Sequence, residues 1–582
     1  MKCLRPRREI LVGHANTIHD VAICIMEEDR VYAEALERHM QCKRAWEGHL
    51  YYSKKSILNA LSESKISPVE DANVTSLSTW DSETVRLPGH SRQSFSLVRK
   101  RTISHIDAEE LFDSQMASLL ESSEISFFPT NAAKRFSWTS KTIDHHLTHA
   151  ANAVYTSPFE ECVVAILDGA GEQSYGDFFH FTNNQFHRIP HNRNFDPTSV
   201  ASSFGKVYGI FTQRCGFSTL EGEEWKLMGL AAYGQFREDL NSFFKERISV
   251  NGLEVVFKCI DSDSMAILER LVGGFRSPKD PDVLKSADLA HNFQLCFGDA
   301  LLEVLSNLAK LGLSENLAFA GGCALNSSVN GKILERTTFR RLHVPCAPAD
   351  DGNALGAALY ENHALRQNRR TAKVFSPYLG SSPDQSALNR IKRISGAKFR
   401  EFENDGDLCE VAAQCLAEGK IIGWMQGRAE FGPRALGNRS ILADPRPGDM
   451  KDKINAKVKF REEYRPLAPS ILHEYGNEYF EKYDESPYMD RALSFREEVR
   501  RKVPAVVHED GTGRLQTVKA EWNPLFHKLI SRFHEKTGIP LVLNTSFNVM
   551  GKPIVHSIED AMTVFYTTGL DCLFINNVMF YK

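Results

Sequence analysis

The sequence predicts an α/β protein, and three stretches that follow one pattern predict it. In each stretch a short apolar run leads into a loop rich in glycine or aspartate, and a helix-type segment follows. The runs are Cys162–Leu167, Leu317–Ala320 and Leu342–Pro345. Such runs are typical of strands buried on both faces, and α/β folds bind ligands at the loops after them. Short β-type runs at Ile10–Val12 and Val21–Met26, with later strands that return, would suit a duplicated actin-like core.

Length, charge and composition limit the class of protein. A chain of 582 residues is too long for one core, and roughly two to four domains are expected. A shift in composition around residues 371–385 places a boundary there, giving units 1–372 and 373–582. The net charge of -4 provides no field for nucleic acid or an anionic membrane, and no apolar run approaches a membrane-spanning length. The 12 cysteines form no Cys-x-x-Cys, which predicts reduced thiols in a cytoplasmic protein.

The most informative motif of the chain is DHHLTHA, at residues 144–150. His145 and His149 are spaced to lie on one face of a helix, where two imidazoles can bind one metal ion. Asp168 and Asp350 each follow a predicted strand, so both can reach the same cleft. Histidine with carboxylate suits Fe(II), Mn(II) or Zn(II). The alternative is a pair of surface histidines with helix-capping aspartates; two strand-end aspartates in the same domain favour the metal.

Other candidates in the first half carry weaker signals. Gly321 and Gly322 lie between a predicted buried strand and a helix of about Ser327–Glu335, which suits close approach to a nucleotide or phosphate, although glycine pairs usually mark turns. His19 lies in the first hairpin. It is a general base if it faces the same cleft, and otherwise a capping or core residue.

The second half carries a group of basic residues unlike anything before it. Guanidinium groups form bidentate hydrogen bonds to phosphate oxygens, and glycines let the backbone approach them. Taken singly, each is a solvated surface charge. Together, in loops rich in glycine and proline, they predict a polyanionic small molecule such as ATP or an acyl phosphate. The group comprises Arg428, Arg434 and Arg439, then Lys459 and Arg465, and finally Arg514.

These motifs resemble the O-carbamoyltransferases of the NodU, CmcH and TobZ family, which modify nodulation factors and antibiotics. The resemblance covers nearly the whole chain, and so many long matches in one order make it strong. The matching segments are His19–Asp20, Glu37–Arg38, His145–Ala150, Lys226–Ala232, Ala320–Asn326, Gly432–Gly437, Arg465–Ser470 and Asn544–Asn548.

The resemblance implies a fold and a reaction. Residues 1–372 would form a Kae1-like domain of the actin/Hsp70 (ASKHA) ATPase type, and residues 373–582 a YrdC-like α/β domain. The second domain would combine carbamoyl phosphate with ATP and Mg²⁺ to give carbamoyl-adenylate and pyrophosphate. The first would use Fe²⁺ or Mn²⁺ to transfer the carbamoyl group to a hydroxyl of a small-molecule natural product. No nucleic-acid or membrane partner is expected, and a homodimer is left open.

Residue roles follow from the same resemblance, position by position. His145, His149, Asp168 and Asp350 match metal ligands, and His19 matches the residue that takes the proton from the acceptor hydroxyl. His146, Lys459 and Arg465 are further catalytic candidates. The expected contacts to nucleotide and carbamoyl phosphate are Gly169, Gly171, Lys226, Gly321, Gly322, Asn326, Arg434, Arg439, Lys459, Arg465, Arg514 and Asn544.

One departure and several alternatives stand beside this assignment. The family usually has Asn-x-Arg-Gly-Glu-Pro where this chain has Asn548-Val-Met550-Gly-Lys552-Pro; either Lys552 compensates or the position does not contact ligand. The nearest alternative function is carbamoyl-adenylate chemistry on a macromolecule, as in tRNA threonylcarbamoylation or hydrogenase maturation. An actin-fold small-molecule kinase would not need the histidine pair. A non-catalytic nucleotide-binding scaffold would need neither the metal set nor the separate phosphate cluster.

Overall fold

A computed structural model of the protein describes residues 8–15, 20–45, 72–79, 137–191, 200–394 and 396–582. His19 and most of residues 40–140 lie outside these ranges. The eleven cysteines within them are all free. No helix in the described part is both long and apolar enough to cross a membrane.

The first half is built from two five-stranded sheets with the same topology. In each sheet three consecutive strands form an antiparallel meander, a later strand pairs in parallel with the meander's first strand, and another strand pairs in parallel with that later one. This repeat confirms the predicted duplicated actin-like core. The first sheet has order β3-β2-β1-β4-β5 and consists of Arg8–Ala15 (β1), Ala22–Glu27 (β2), Arg30–Ala35 (β3), Ala72–Ser78 (β4) and Ser137–Thr142 (β5).

The second sheet has order β12-β11-β6-β7-β8. All six residues of its central strand β6 are buried, as the continuous apolar run predicts. The strands after the first sheet are Cys162–Leu167 (β6), Gly176–Thr182 (β7), Gln185–Arg188 (β8), a separate hairpin of Ile248–Asn251 (β9) and Glu254–Phe257 (β10), then Asn316–Ala320 (β11) and Arg341–His343 (β12).

Helices fill the space between and around these sheets. The backbones of the helices His145–Tyr155 and Asn353–Leu359 are in direct contact. Only a glycine fits at position 356, since a Cβ there would lie 2.0 Å from the Thr148 carbonyl oxygen. The α-helices of the first half are Leu36–Met40, His145–Tyr155, Phe204–Arg214, Glu224–Leu230, Glu238–Lys245, Ser262–Leu271, Ala287–Ala309, Ser327–Asn330, Ile333–Arg336 and Asn353–Leu359.

The single helix expected over about Ser327–Glu335 is wrong. The structure has two four-residue helices, Ser327–Asn330 and Ile333–Arg336, with a break at Gly331. A Cβ at Gly331 would lie 1.9 Å from the carbonyl oxygen of Ala492, in the second half of the chain. The break therefore lies where the two halves touch.

The second half contains one mixed eight-stranded sheet with its own apolar core. Its order is β13-β22-β21-β14-β15-β20-β16-β19, with β17 and β18 pairing separately. The strands are Lys398–Glu401 (β13), Ile422–Met425 (β14), Arg439–Ala443 (β15), Ala468–Leu472 (β16), Ala492–Ser494 (β17), Thr512–Arg514 (β18), Gln516–Val518 (β19), Leu541–Ser546 (β20), Cys572–Ile575 (β21) and Val578–Tyr581 (β22). The α-helices are Gln385–Ile394, Asp405–Ala417, Met450–Ile454, Gly476–Tyr479, Glu497–Arg500, Pro524–Thr537 and Ile558–Thr567.

The two halves make direct contact through the first sheet. The Ala33 amide on β3 donates to the Leu379 carbonyl at 3.0 Å, and the buried Arg38 donates to the Gly432 carbonyl at 2.8 Å. Residues 366–384, which connect the halves, contain no helix or strand. The expected boundary between residues 372 and 373 lies in this connection and stays a prediction.

Candidate active site

Four side chains converge at the carboxyl ends of the strands in the first half. Asp144 begins the helix of the two histidines by accepting the Leu147 amide at 2.8 Å. Asp168 follows β6, and Asp350 precedes the helix Asn353–Leu359. The Nε2 atoms of His145 and His149 lie 3.2 Å apart, and Asp168 Oδ2 lies 3.2 Å from the first of them. Asp350 Oδ1 is 3.4 Å from His149 Nε2, and all four potential ligand atoms lie within 4.8 Å of one another.

This geometry fits a divalent metal ion. Ligands about 2.1 Å from one ion lie about 3 Å from each other, as these atoms do. Two facing ring nitrogens cannot both carry protons, whereas an ion between them accepts both lone pairs. Burial lowers the pKa of His149, but hydrogen bonds to Asp168 and Asp350 raise it by more, to about 9. Burial alone would raise the pKa of Asp168, yet His145 and His149 hold it well below its ordinary value. Two imidazoles with two carboxylates suit Fe(II), Mn(II) or Zn(II).

His146, the third histidine of the motif, points to different partners. Its Nδ1 lies 3.1 Å from Asp177 Oδ2 and 3.1 Å from Ser174 Oγ, and the ring is 2% exposed. Its ring lies behind Gly171, with its centre 5.6 Å from that of His145, but it belongs neither to the four-residue cluster nor to the wall of the cavity described below. His19, the expected general base, lies outside the described residues; its neighbour Asp20 is described and pairs with Arg44 at 3.1 Å.

The glycine loops after β6 and β11 lie beside the cluster. Gly169, Gly171, Gly322 and Asn326 line the adjoining cavity. The Gly322 amide donates to Asp168 Oδ1 at 2.9 Å and so fixes that carboxylate. Gly321 plays a backbone role: its φ is 89°, and a Cβ there would lie 2.3 Å from the Leu167 carbonyl oxygen.

The basic residues of the second half form a buried cationic group. Burial lowers the pKa of Arg434 to about 10, and burial with the nearby Arg465 lowers that of Arg461 to about 9. The pKa of Arg514 is lowered well below its ordinary value by burial, then by Arg434 and Arg461. Buried like charges disfavour one another, so an anion bound among them would be stabilised strongly. The group therefore has the electrostatics of a phosphate site.

Lys459 lies at the centre of this group. It ends the π-helix Asn455–Lys459, and burial, Arg461, Arg465 and then Lys43 hold its pKa well below the ordinary value. Its ammonium donates to the Ser546 carbonyl at 2.6 Å, to Ser546 Oγ at 3.1 Å and to Asn548. The amine is thus held at the end of β20.

Arg439 and Asn544 were both expected to contact ligand, but only Asn544 lines the cavity. Arg439 is fully buried and donates to backbone carbonyls, among them those of Gln426 at 2.9 Å and Ser381 at 2.8 Å. It lies outside the cavity and holds loops together. Asn544 does line the cavity, and its amide nitrogen donates to Ser470 Oγ at 2.9 Å.

The segment that departs from the family pattern also lies at the cavity. The Lys552 ammonium donates to the Gln41 carbonyl at 3.1 Å, and the exposed Met550 lies in the cavity wall.

One cavity of about 1430 Å³ joins the metal cluster and the cationic group. Its wall crosses from one half of the chain to the other. Lys226 binds Glu462 Oε1 at 3.0 Å, and the Arg465 guanidinium lies 3.9 Å from the ring centre of Trp225. Besides the expected residues, the wall includes Lys43, Trp225 and Arg461.

Sequence reasoning missed these last three residues. Trp225 directly precedes the Lys226 motif, and Arg461 lies between the recognised Lys459 and Arg465, so both had a signal in their neighbours. Lys43 had no such signal, because it lies outside all of the recognised motifs. Its place in the wall depends on contact between the halves.

The fold and the site define a two-part α/β protein whose acidic, metal-type cluster and basic, phosphate-type pocket share one cavity. Family profiles described as Carbamoyltransferase N-terminus and Carbamoyltransferase C-terminus match residues 11–359 and 413–582. The chain therefore belongs to the carbamoyltransferase family and is a transferase enzyme of that type.

Named relatives agree with this family. Nodulation protein NolNO of Sinorhizobium fredii is 37% identical over 447 residues, which span 76% of this chain but 64% of NolNO, slightly less than two thirds. Nodulation protein U of the same species is 28% identical over 557 residues, 92% of this chain and 93% of that protein. Among solved structures, HypF of T. kodakarensis has a TM-score of 0.33 at 14% identity, covering 64% of this chain and 50% of HypF, a likeness too slight to carry an argument.

Proposed function

We propose that the protein is an ATP-dependent O-carbamoyltransferase that works in two steps. In the cationic pocket of the second half, water splits carbamoyl phosphate into carbamate and phosphate, and carbamate then displaces pyrophosphate from Mg-ATP to give carbamoyl-adenylate. The cluster of His145, His149, Asp168 and Asp350 then serves transfer of the carbamoyl group to a hydroxyl of a small-molecule natural product, with release of AMP.

The cationic pocket supports the first step. Carbamoyl phosphate and ATP together carry several negative charges, which Arg434, Lys459, Arg461, Arg465 and Arg514 can offset when they bring the two anions together. Ser546 and Asn548 hold the Lys459 amine in place before either substrate arrives.

The acidic cluster supports the second step. When bound there, Fe²⁺ or Mn²⁺ would act as a Lewis acid toward a carbonyl or phosphoryl oxygen. His145 and His149 would supply neutral nitrogens, and Gly322 would keep the Asp168 carboxylate oriented through its amide. In this assignment His19 takes the proton from the acceptor hydroxyl, a role that rests on the family resemblance.

The shared cavity is the observation that carries the proposal. An acyl-adenylate hydrolyses when water reaches it, so two sites that use one adenylate need a common enclosed space. Asp168 and Asp350 line one end of the cavity, and Arg465 and Arg514 line another part of the same wall.

The test is pyrophosphate release on mixing the protein with Mg-ATP and carbamoyl phosphate without an acceptor. We expect release that requires both substrates and that falls at least about a hundredfold in Arg465→Ala, because a charge that contacts the reacting phosphates is removed. Arg532→Ala, at a surface arginine paired with Glu535, is the matched control and should keep full activity. No release with the wild-type protein, or equal release in Arg465→Ala, would contradict the proposal.

A further inference from the structure

A second cluster of potential metal ligands lies where the two halves of the chain meet. Glu34 on β3 and His39 on the helix Leu36–Met40 belong to the first half, and His556 precedes the helix Ile558–Thr567 of the second. Glu34 Oε2 lies 3.2 Å from His39 Nε2, and Glu34 Oε1 lies 3.1 Å from His556 Nδ1. One ligand atom from each residue lies within 4.8 Å of the others.

The cluster has the second layer of contacts that metal sites use to orient their ligands. The Tyr32 hydroxyl donates to Glu34 Oε2 at 2.5 Å, and the Ser381 hydroxyl donates to Glu34 Oε1 at 3.1 Å. The ring centres of His39 and His556 are 4.0 Å apart, with a nitrogen of each turned to the same carboxylate. Hydrogen-bonded partners of this kind fix ligand orientation in proteins.

The carboxylate of this cluster is buried, whereas its two histidines are partly exposed. An ion can therefore enter from the side of the histidines and is shielded from solvent once bound. The side chain of Glu34 is 1% exposed, while those of His39 and His556 are 11% and 20% exposed. The exposed edge leaves room for a water ligand. None of the three residues lines the cavity of the active site, so the cluster is separate from the chemistry proposed above.

We propose that Glu34, His39 and His556 bind a second divalent transition-metal ion, of the Zn²⁺ class, that fastens the two halves together. Two imidazoles and one carboxylate are a complete protein ligand set for such an ion, and water supplies the remaining position. The ion takes the place of the direct imidazole–carboxylate hydrogen bonds. Because the ligands come from both halves, binding stabilises their contact. This inference does not depend on the carbamoyl reaction.

The experiment measures zinc stoichiometry in the full-length chain by calorimetric titration after chelator treatment. We expect two equivalents for the wild type and one for the His39→Ala/His556→Ala variant. The His145→Ala/His149→Ala variant should also bind one, since it keeps only the site at the junction. His527→Ala, which removes an exposed histidine paired with Glu474, is the control and should bind two. An unchanged count in the His39→Ala/His556→Ala variant would overturn the proposal.

A second measurement guards against loss of folding in the double variant. In the His145→Ala/His149→Ala background, zinc should raise the midpoint of thermal unfolding, because an ion that binds only the folded chain stabilises it. Adding the single change His556→Gln, which keeps a polar side chain, should remove that rise and leave the zinc-free midpoint near its starting value. A rise that persists with His556→Gln would assign zinc to other residues and sink the idea.

Discussion

The two ends of the cavity are opposites in charge and in how they are built. The first end pairs two imidazoles with two carboxylates, held by a helix and by loops after parallel strands. The second end gathers arginines and a lysine whose pKa values are all lowered by burial. An acidic end attracts a cation, and a basic end attracts phosphorylated molecules. One cavity can therefore hold two kinds of chemistry, because each end has its own electrostatic character.

The largest expected effect is that a single substitution lowers carbamoyl transfer and leaves pyrophosphate release intact. His149→Ala removes one of the four proposed metal ligands and should lower carbamoyl transfer to an acceptor at least about a hundredfold. Pyrophosphate release from ATP and carbamoyl phosphate should continue, because the cationic end is untouched. Both are measured in one assay, with His187→Ala, an exposed histidine on β8, as control. Equal loss of both activities would show that the ends do not work separately.

The next effect is a pH dependence of metal binding at the acidic end. Asp168 and Asp350 raise the pKa of His149 to about 9, so protons compete with the ion below that value. The apparent dissociation constant for Mn²⁺ should fall about tenfold per pH unit from 6.5 to 9 and then level off. Titration of chelator-treated protein at several pH values measures this. A constant affinity across the range would contradict the assigned role of His149.

In the metal-free protein, the protonated form of His149 should stabilise the folded state, so this contribution to stability should fall as the pH rises. Its folded pKa lies above the ordinary 6.5, so its contribution is fully present below about 6.5 and is lost as the pH rises through about 9. The thermal midpoint of chelator-treated wild type should therefore drop over that interval relative to His149→Ala. Parallel midpoints would argue against the raised pKa.

The smallest expected effect concerns the link between the ends. Trp225 lies under the Arg465 guanidinium at 3.9 Å, and such contacts contribute about 0.5–2 kcal/mol. Trp225→Ala should raise the KM for carbamoyl phosphate by about 2–30-fold with a smaller change in kcat. Trp225→Phe should recover most of the loss because it keeps an aromatic face. A loss that is equal in both variants would show that the ring has another purpose.

The sequence alone predicts the parts of this molecule whose signals are local. The buried strand β6, the helix of His145 and His149, and the strand-end aspartates follow from spacing and from runs of apolar residues. The division of the helix at Gly331 does not, and it lies where the chain approaches Ala492 on a strand distant in sequence. Arg439 illustrates the same limit: its surroundings in the sequence match those of ligand-binding arginines, while its contacts are with buried carbonyls.

The apolar core beneath the first sheet contains Leu379, Phe431 and Leu436 from the second half, packed with Leu11 and Cys24 from the first. A chimera that joins the first half of this chain to the second half of a relative would therefore inherit a mismatched interior as well as a mixed cavity wall. Natural variation at these positions should be correlated across the junction. The two halves should therefore evolve together and should be exchanged together in engineering, although the sheets suggest two separable parts.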